Sequence, residues 1–382
     1  MPHPVQRRWY PIVLAVAALV LMPLSVLLLS WHEVDQQIWT HLWQTQMTRL
    51  IGNTVTLVLG VGVGVTLLGV SLAWLTSLCE FPGRRWLDWA LMLPFAIPAY
   101  VLAFVFVGLL DFAGPVQTLL REWFGSGFRL PRVRSTGGVI IVLVLVFYPY
   151  VYLLARAAWL EQSASAYEAA RALGTGGWGL FRRVGLPLAR PAIVAGAAIA
   201  MMESVADYGV VSYFGVQTLN TGIFTTWLEG QNAGGAAQIA LVILGLVALI
   251  MLLERAGRRR ARYHQSARHP RPVIRTRLTG LAAAAATLAC LAPFLVGFVL
   301  PVAVIGHYAI AYPQGWFGPG LAKAALAARI DGEHDFRLGV VPAADRVQPD
   351  LGPPADRGHR LALGEDFRVR ADPDLEILRP EP

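Results

Sequence analysis

Lysine, cysteine and charge are all scarce in this chain of 382 residues, and each scarcity excludes a class of protein. Lys323 is the only lysine and stands between Ala322 and Ala324, so the Gly-Lys-Ser/Thr core of a P-loop ATP site cannot form. The two cysteines, Cys79 and Cys290, are too few for a metal cluster. No HExxH zinc-protease motif and no Gly-x-Ser-x-Gly nucleophile elbow occurs. We therefore predict no catalytic residue, no metal site and no cofactor.

The residues that are abundant are apolar: hydrophobic residues make up 55% of the chain and charged residues only 15%. This balance is far from that of soluble domains and is typical of a membrane protein. The formal net charge of +8 comes from arginines that lie between apolar runs rather than along one stripe. Such a distribution favours anionic lipid headgroups over nucleic acid as the partner.

Apolar runs predict an all-α, polytopic transmembrane helix bundle of about seven spans. The fifth run differs from the others because it carries two carboxylates. The first run exceeds a usual signal-peptide core and has no clear cleavage site after it, so we interpret it as an uncleaved span. The predicted spans are residues 9–31, 51–79, 89–110, 135–155, 192–213, 238–253 and 278–305.

Arginine counts predict the orientation of these spans, since basic residues near span ends are retained in the cytoplasm. A cytoplasmic N-terminus puts 18 arginines in inner connections and 5 in outer ones. The connection 111–134 is discordant, because it carries four arginines on the outer side. The sequence therefore predicts a multi-pass protein of the inner membrane with its N-terminus in the cytoplasm.

A polar and basic segment, residues 163–191, lies between two apolar runs and predicts a helix, a glycine elbow and a second helix. Ser165 and Glu168 have the spacing of a capping box, which indicates where the first helix starts. Gly174 is suited to the left-handed conformation that closes it. A second amphipathic segment then runs to Leu186-Pro187, which we expect to end it.

This segment resembles the EAA loop of permease subunits of binding-protein-dependent ABC importers. The resemblance is carried by six spaced positions: Glu168, Ala169, Ala170, Gly174, Leu186 and Pro187. It implies a type I ABC importer permease whose loop is a cytoplasmic coupling helix docked on an ABC ATPase, present in two copies. It also implies a periplasmic binding protein that delivers the substrate. An ordinary amphipathic interfacial loop is the alternative.

The stretch 202–224 is similar to the ferric-iron branch of these permeases. Glu203 and Asp207 are four residues apart, on one face of the predicted fifth helix, and Tyr208 follows. Ionisable groups inside a span usually face a cavity or a partner, so these three residues are candidates for the translocation path. A cation route is one interpretation, and carboxylates at the outer interface or paired with an arginine are the other. The resemblance implies ferric iron, whereas thiamine, polyamine or another solute fits the helix pattern equally.

Three regions are predicted: residues 1–277 as a first permease half, 278–330 as the start of a second half, and 331–382 as an acidic tail. No second EAA loop follows residue 278, and 12 of the 24 acidic residues lie in the tail, which predicts disorder there. A truncation or reading-frame change would explain this pattern, and an appended soluble tail is the alternative. The chain would then need a second half or a homodimer to close a pathway.

Two other functions remain open at this point. Glu203 and Asp207 could serve a proton-coupled secondary transporter, which would have no use for a docking loop. An inactive, truncated permease would also explain the tail.

Overall fold

The computed structural model of the chain describes residues 10–29, 40, 42–161, 164–259 and 275–311. The predicted tail, 331–382, lies outside the described residues. By contacts the chain divides after Pro313, and all described residues belong to the first unit.

Helices account for nearly all of the described structure. In chain order they are α1 (Tyr10–Leu29), α2 (Thr48–Leu78), α3 (Arg84–Ala90), α4 (Ala99–Leu110), α5 (Pro115–Phe124), α6 (Thr136–Glu161), α7 (Ala164–Ala172), α8 (Gly177–Leu180), α9 (Leu186–Ala206), α10 (Gly209–Tyr213), α11 (Leu219–Phe224), α12 (Ala233–Arg259), α13 (Gly280–Phe294) and α14 (Leu300–Ala311). The π-helical turns are Trp43–Met47, Phe181–Gly185, Thr225–Glu229 and Leu295–Val299, and a 3-10 turn covers Leu93–Ala96. The short strands β1 (Cys79–Glu80) and β2 (Thr276–Arg277) pair in parallel.

Within the described residues, six helical segments are long and apolar enough to cross a membrane. The apolar helix α1, of 20 residues, coincides with the predicted first span. These helices confirm the predicted all-α, polytopic bundle. The six segments are Trp43–Leu78, Ala99–Phe124, Thr136–Glu161, Gly177–Ala206, Ala233–Arg258 and Gly280–Ala311.

Two spans have bounds that differ from the prediction. The third begins as a regular helix only at Ala99, because Pro94 and Pro98 lack the N–H groups that a continuous helix over 89–110 would need. The fifth extends further toward the N-terminus than predicted, since helix is continuous from Gly177. It stops at Ala206, where Asp207 turns to extended backbone with ψ 124°.

The helices α2, α6 and α9 form the centre of the bundle, and small residues let their backbones approach closely. A Cβ atom at Gly69 would lie 2.9 Å from the Tyr148 carbonyl oxygen, and one at Gly196 would lie 2.8 Å from the Val151 Cα. Within lipid, where apolar burial gains little, close packing of this kind supplies much of the association energy. Glycine on α2 and α9 is therefore what sets the spacing of the core.

The bundle has two ends that carry different structures. The coupling face, defined by α7, α8 and the β1–β2 pair, lies at the C-terminal end of α2. The opposite face carries α5, α10 and α11 and lies at the N-terminal end of α2, where the Leu219 N–H donates to Thr54 Oγ1 (2.9 Å).

The seventh span packs on the first six rather than standing apart. Thr287 Oγ1 donates to the Pro82 carbonyl (3.1 Å), and the Trp86 and Phe294 rings meet edge to face at 5.0 Å. The backbone N–H of Leu278 also donates to the Glu80 carbonyl (2.9 Å). A boundary between two halves at residues 277 and 278 stays a prediction.

Candidate functional site

The coupling face is built around α7 and the glycine turn that ends it. Gly174 has φ +76°, a conformation that strains residues with a Cβ, so glycine suits this position. The Gly174 N–H donates to the Arg171 carbonyl (2.9 Å), and the Thr175 N–H donates to the Ala170 carbonyl (3.0 Å). These bonds satisfy carbonyls at the helix end. The glycine elbow is as the sequence predicts.

The start of this helix differs from the prediction. Helix α7 begins at Ala164, so Ser165 lies in its first turn and does not precede it as an N-cap. Local spacing suggested the cap, but the side chain of Ser165 lies outside the described part of the chain. The capping box with Glu168 is therefore not among the described contacts.

One face of α7 is exposed and another is anchored in the bundle. Glu168 and Ala169 are exposed, Ala170 is half-buried, and Leu173 after the helix is 86% exposed. Tyr167, by contrast, is 1% exposed and packs in the main apolar core. Its burial raises the pKa of the Tyr167 hydroxyl, so this anchor stays neutral. The helix thus presents an acidic and small-residue surface while it is held from behind.

The second part of the coupling segment runs directly into the fifth span. We expected Leu186-Pro187 to end a helix, and this was wrong, because α9 begins at Leu186 with Pro187 in its first turn. The π turn Phe181–Gly185 accommodates the proline: the Leu186 N–H donates to Phe181, five residues back. The second part of this segment and the fifth span therefore form one continuous helix.

A cluster of aromatic rings ties this segment to α2 and α6, and the sequence analysis missed it. Trp159 Nε1 donates to the Gly185 carbonyl (2.9 Å) and Trp159 is fully buried. Trp74 meets the rings of Trp159 (5.4 Å) and Phe181 (4.9 Å) edge to face. These residues are spread over more than a hundred positions, so only the folded chain brings them together.

Residues just before the seventh span form a second set of hydrogen bonds to the coupling face, which the sequence did not predict. Arg171 Nη2 donates to Thr276 Oγ1 (3.0 Å), directly beside the paired strands β1 and β2. Arg275 Nε donates to the Ser77 carbonyl at the end of α2 (3.1 Å). The coupling helix is thus bonded to the segment that leads into α13.

The three candidate pathway residues are not equivalent. Glu203 is exposed on α9, and Met201 beside it packs against Gly62, about halfway along α2. Asp207 is the residue at which α9 ends, with φ −68° and an extended ψ of 124°, so the backbone leaves the helix four residues after Glu203. The Asp207 carboxylate instead accepts the Val210 N–H (2.9 Å) and the Val211 N–H (3.3 Å) at the start of α10. This carboxylate has a structural task that sequence spacing did not indicate.

A cavity of about 1030 Å³ opens on the opposite face, and Tyr208 is among its lining residues. The Tyr208 side chain is 39% exposed, and its ring lies against the Phe224 ring at a tilt of 32° with 4.0 Å between the ring centroids. Neutral amides and hydroxyls dominate the polar lining, and among the lining residues that the structure describes Glu229 is the one carboxylate. The lining includes Gln46, Ser212, Gln217, Thr221, Thr225 and Asn232.

Ionisable side chains elsewhere form pairs rather than metal sites. Among the described residues, no three His, Cys, Asp or Glu side chains come together in a way that could hold a metal ion. Cys79 and Cys290 are free thiols and both are buried. Arg156 binds the Asp88 carboxylate through two hydrogen bonds (2.6 and 2.5 Å) and joins α6 to α3.

Comparison with known proteins decides the family. Residues 65–263, which include the coupling segment and the 201–224 stretch, match the family of binding-protein-dependent transport system inner membrane components. The chain belongs to this family. Membership confirms a transport subunit of ABC importer type, in which a separate ATPase subunit hydrolyses ATP. It also overturns the alternative of a secondary transporter.

Relatives and a solved structure agree with this family. The chain is similar to the molybdenum transport system permease protein ModB of Escherichia coli K12, with 27% identity over 205 residues, 50% of this chain and 88% of that protein. It is 31% identical to the sulfate transport system permease protein CysW of the same strain over 215 residues, 55% of this chain and 69% of that protein. The crystal structure of a bacterial alginate ABC transporter, with an alginate-bound periplasmic protein, shares the fold with a TM-score of 0.55 and 19% identity. That match covers 67% of this chain and 96% of the other.

The names of these relatives do not support the ferric-iron branch that residues 202–224 suggested. Motifs around a span break report the shared fold of these permeases, so they do not separate one substrate branch from another. The inner-membrane location follows from the family, whereas the orientation of the N-terminus stays a prediction.

Proposed function

We propose that the chain forms half of an inner-membrane path for a small oxyanion and couples to its ATPase through residues 164–185. The observation that carries the coupling proposal is the two-sided character of α7. Its exposed Glu168 and Ala169 are available to a partner, while Tyr167 behind them is buried in the bundle. In this proposal the coupling face is cytoplasmic, in line with the 18 arginines on that side.

The coupling would act through rigid connections. A push on α7 and Leu173 reaches the fifth span through the continuous helix from Gly177, and reaches α2 and α6 through the Trp74 and Trp159 rings. Small side chains on the docking surface let a partner backbone approach closely. The six motif positions, Glu168, Ala169, Ala170, Gly174, Leu186 and Pro187, then have two roles: the first four shape the docking surface, and the last two lead into α9.

The oxyanion proposal rests on the chemistry of the cavity and on the relatives. Amide and hydroxyl groups donate hydrogen bonds to an anion without binding it so tightly that it cannot leave. The names of two relatives refer to molybdenum and sulfate. Ferric iron would need several oxygen anions, but the Asp207 carboxylate is already engaged by two backbone N–H groups.

A second half is part of the proposal, because one half alone cannot enclose a path. Either a homodimer or a second permease half would supply it, together with a second docking site for the ATPase. A periplasmic binding protein would deliver the substrate to the opposite face.

Co-purification with a candidate ABC ATPase in detergent tests the docking surface. We expect Glu168→Arg to weaken binding about tenfold or more, equivalent to about 1.4 kcal/mol, because it places a bulky, opposite charge on a small-residue surface. Glu122→Arg, an exposed acid on the opposite face, is the matched control and should bind as the wild type does. Equal binding by both variants would remove the docking assignment. If the wild type itself fails to bind, adding the second half in trans separates an incomplete assembly from a wrong assignment.

Uptake into proteoliposomes tests the substrate. With ATPase and binding protein present, we expect ATP-dependent accumulation of radiolabelled molybdate or sulfate, and none of ferric citrate. Uptake of iron alone would overturn the oxyanion proposal and leave the docking surface untouched.

A further inference from the structure

Helix α5, on the opposite face, exposes three large apolar side chains while one of its polar side chains is buried. Its polar Gln117 is only 5% exposed and donates from Nε2 to the Leu110 carbonyl (3.0 Å). Its apolar Leu119, Trp123 and Phe124 are 52%, 78% and 68% exposed. Thr118 and Glu122 are also exposed, so the outer surface of the helix carries large apolar side chains with a polar border beside them.

A tight bend prevents α5 from continuing the third span. The Gly114 N–H donates to the Asp111 carbonyl (2.7 Å), and a Cβ at Gly114 would lie 2.5 Å from the Leu109 carbonyl oxygen. Pro115 then starts the helix without needing an N–H partner. Glycine thus folds α5 back over the end of α4, so the apolar segment Ala99–Phe124 consists of two helices with a bend between them.

Arginines surround this helix, and within the described residues no ion pair neutralises Arg129 or Arg132. Arg121 lies over the Phe112 ring at 4.5 Å and donates to the Phe112 carbonyl (2.7 Å). Arg134 pairs with Asp111 (3.3 Å). Arg129 contacts the Phe112 ring at 5.9 Å, and like Arg132 it is exposed. Arg129 and Arg132 follow the C-terminal end of α5 in the chain.

We propose that α5 is an interfacial helix that lies in the surface of the lipid bilayer on the opposite face. Leu119, Trp123 and Phe124 enter the acyl boundary, and Arg129 and Arg132 contact anionic phospholipid headgroups. Two features select lipid over a protein partner: the level of the helix at a span end and the aromatic residues on its outer side. The placement also accounts for four arginines in a connection that the charge rule would keep poor in them.

Spin labels in nanodiscs of phosphatidylethanolamine and phosphatidylglycerol test this placement. Cys79→Ala and Cys290→Ala supply the background, and labels are attached at Leu119→Cys and Trp123→Cys, with Glu122→Cys on the polar border as the matched control. For the labels at 119 and 123 we expect strong broadening of the spectra by oxygen and weak broadening by a water-soluble nickel chelate. For the label at 122 we expect weak broadening by oxygen and strong broadening by the nickel chelate. Nickel access at 119 and 123 equal to that at 122 would overturn the proposal. Exclusion of both reagents would also overturn it, since that result means protein covers the face.

A measurement on the unaltered chain tests the placement even if the cysteine variants do not fold. A membrane-soluble diazirine probe, activated by light and located by mass spectrometry, should label residues 115–124 in nanodiscs. Absence of label there, with label present on α12, would contradict the lipid placement whatever the behaviour of the cysteine variants. Exchange of phosphatidylglycerol for phosphatidylcholine should make the labels at 119 and 123 shallower, and an unchanged depth would remove the headgroup contact from the proposal.

Discussion

At the scale of single residues, two carboxylates that are close in the sequence have different roles. Glu203 stands exposed halfway through the bundle, while Asp207, four residues on, accepts two backbone N–H groups. The difference arises because α9 stops between them. A carboxylate that follows the last turn of one helix meets the unbonded N–H groups that begin the next.

This distinction predicts how Asp207 variants behave. Asp207→Asn keeps an acceptor oxygen and should retain both stability and oxyanion uptake. Asp207→Ala leaves the N–H groups of Val210 and Val211 without their acceptor and should cost about 1 kcal/mol of unfolding free energy. Thermal unfolding in detergent, with uptake measured in parallel, checks both. Loss of uptake in Asp207→Asn at unchanged stability would show that the charge itself serves transport.

At the scale of elements, the junction between the coupling segment and the bundle is closely packed. A Cβ at Gly185 would lie 2.4 Å from the Trp74 ring, and the Gly185 carbonyl accepts the Trp159 indole N–H. The coupling segment can therefore move only if α2 and α6 move with it.

Gly185→Ala tests this junction. The added methyl group must displace the Trp74 ring, so we expect the free energy of unfolding to fall by about 1–3 kcal/mol. We also expect less substrate to be taken up for each ATP hydrolysed. Gly176→Ala is the matched control, because nothing lies within 4 Å of a Cβ there. Unfolding midpoints and the ratio of ATP hydrolysed to substrate transported measure the two effects. Identical unfolding midpoints for the two variants would show that the Trp74 ring can move aside without loss of stability.

How far the sequence predicts an element depends on what ends it. Gly174 was predictable because a left-handed helix end is a local requirement. The passage through Leu186-Pro187 was not, because a π turn absorbs the proline only in the context of the packed aromatic rings. The bend at Asp207 was likewise invisible in an apolar run whose composition continues to Tyr213.

At the scale of the whole molecule, the seventh span belongs physically with the first six. Its entry segment bonds to the end of α2 and to Arg171 on the coupling helix, and Thr287 bonds to Pro82. A second half that begins at residue 278 would therefore be attached directly to the coupling face of the first.

Shortened chains test this attachment. Deletion of residues 275–382 should lower the unfolding midpoint in detergent, because the β1–β2 pair and the bonds of Arg275 and Thr287 are lost. Deletion of residues 331–382 alone is the control and should leave the midpoint unchanged, since that segment lacks the apolar pattern of a core. A midpoint unaffected by the longer deletion would mean that the seventh span contributes no stability to the first six.

The sequence by itself determined the class of protein, and it predicted about seven spans and the position of the coupling segment. These depend on apolar run length, on charge between runs and on spaced motif residues, all of which are properties of the chain read locally. Only the tertiary structure decided which residues support the coupling helix, where the fifth span stops and which surface of α5 faces outward. Those outcomes depend on contacts between residues such as Trp74 and Gly185, which are far apart in the chain, and on whether a carboxylate such as Asp207 finds backbone N–H groups to bind.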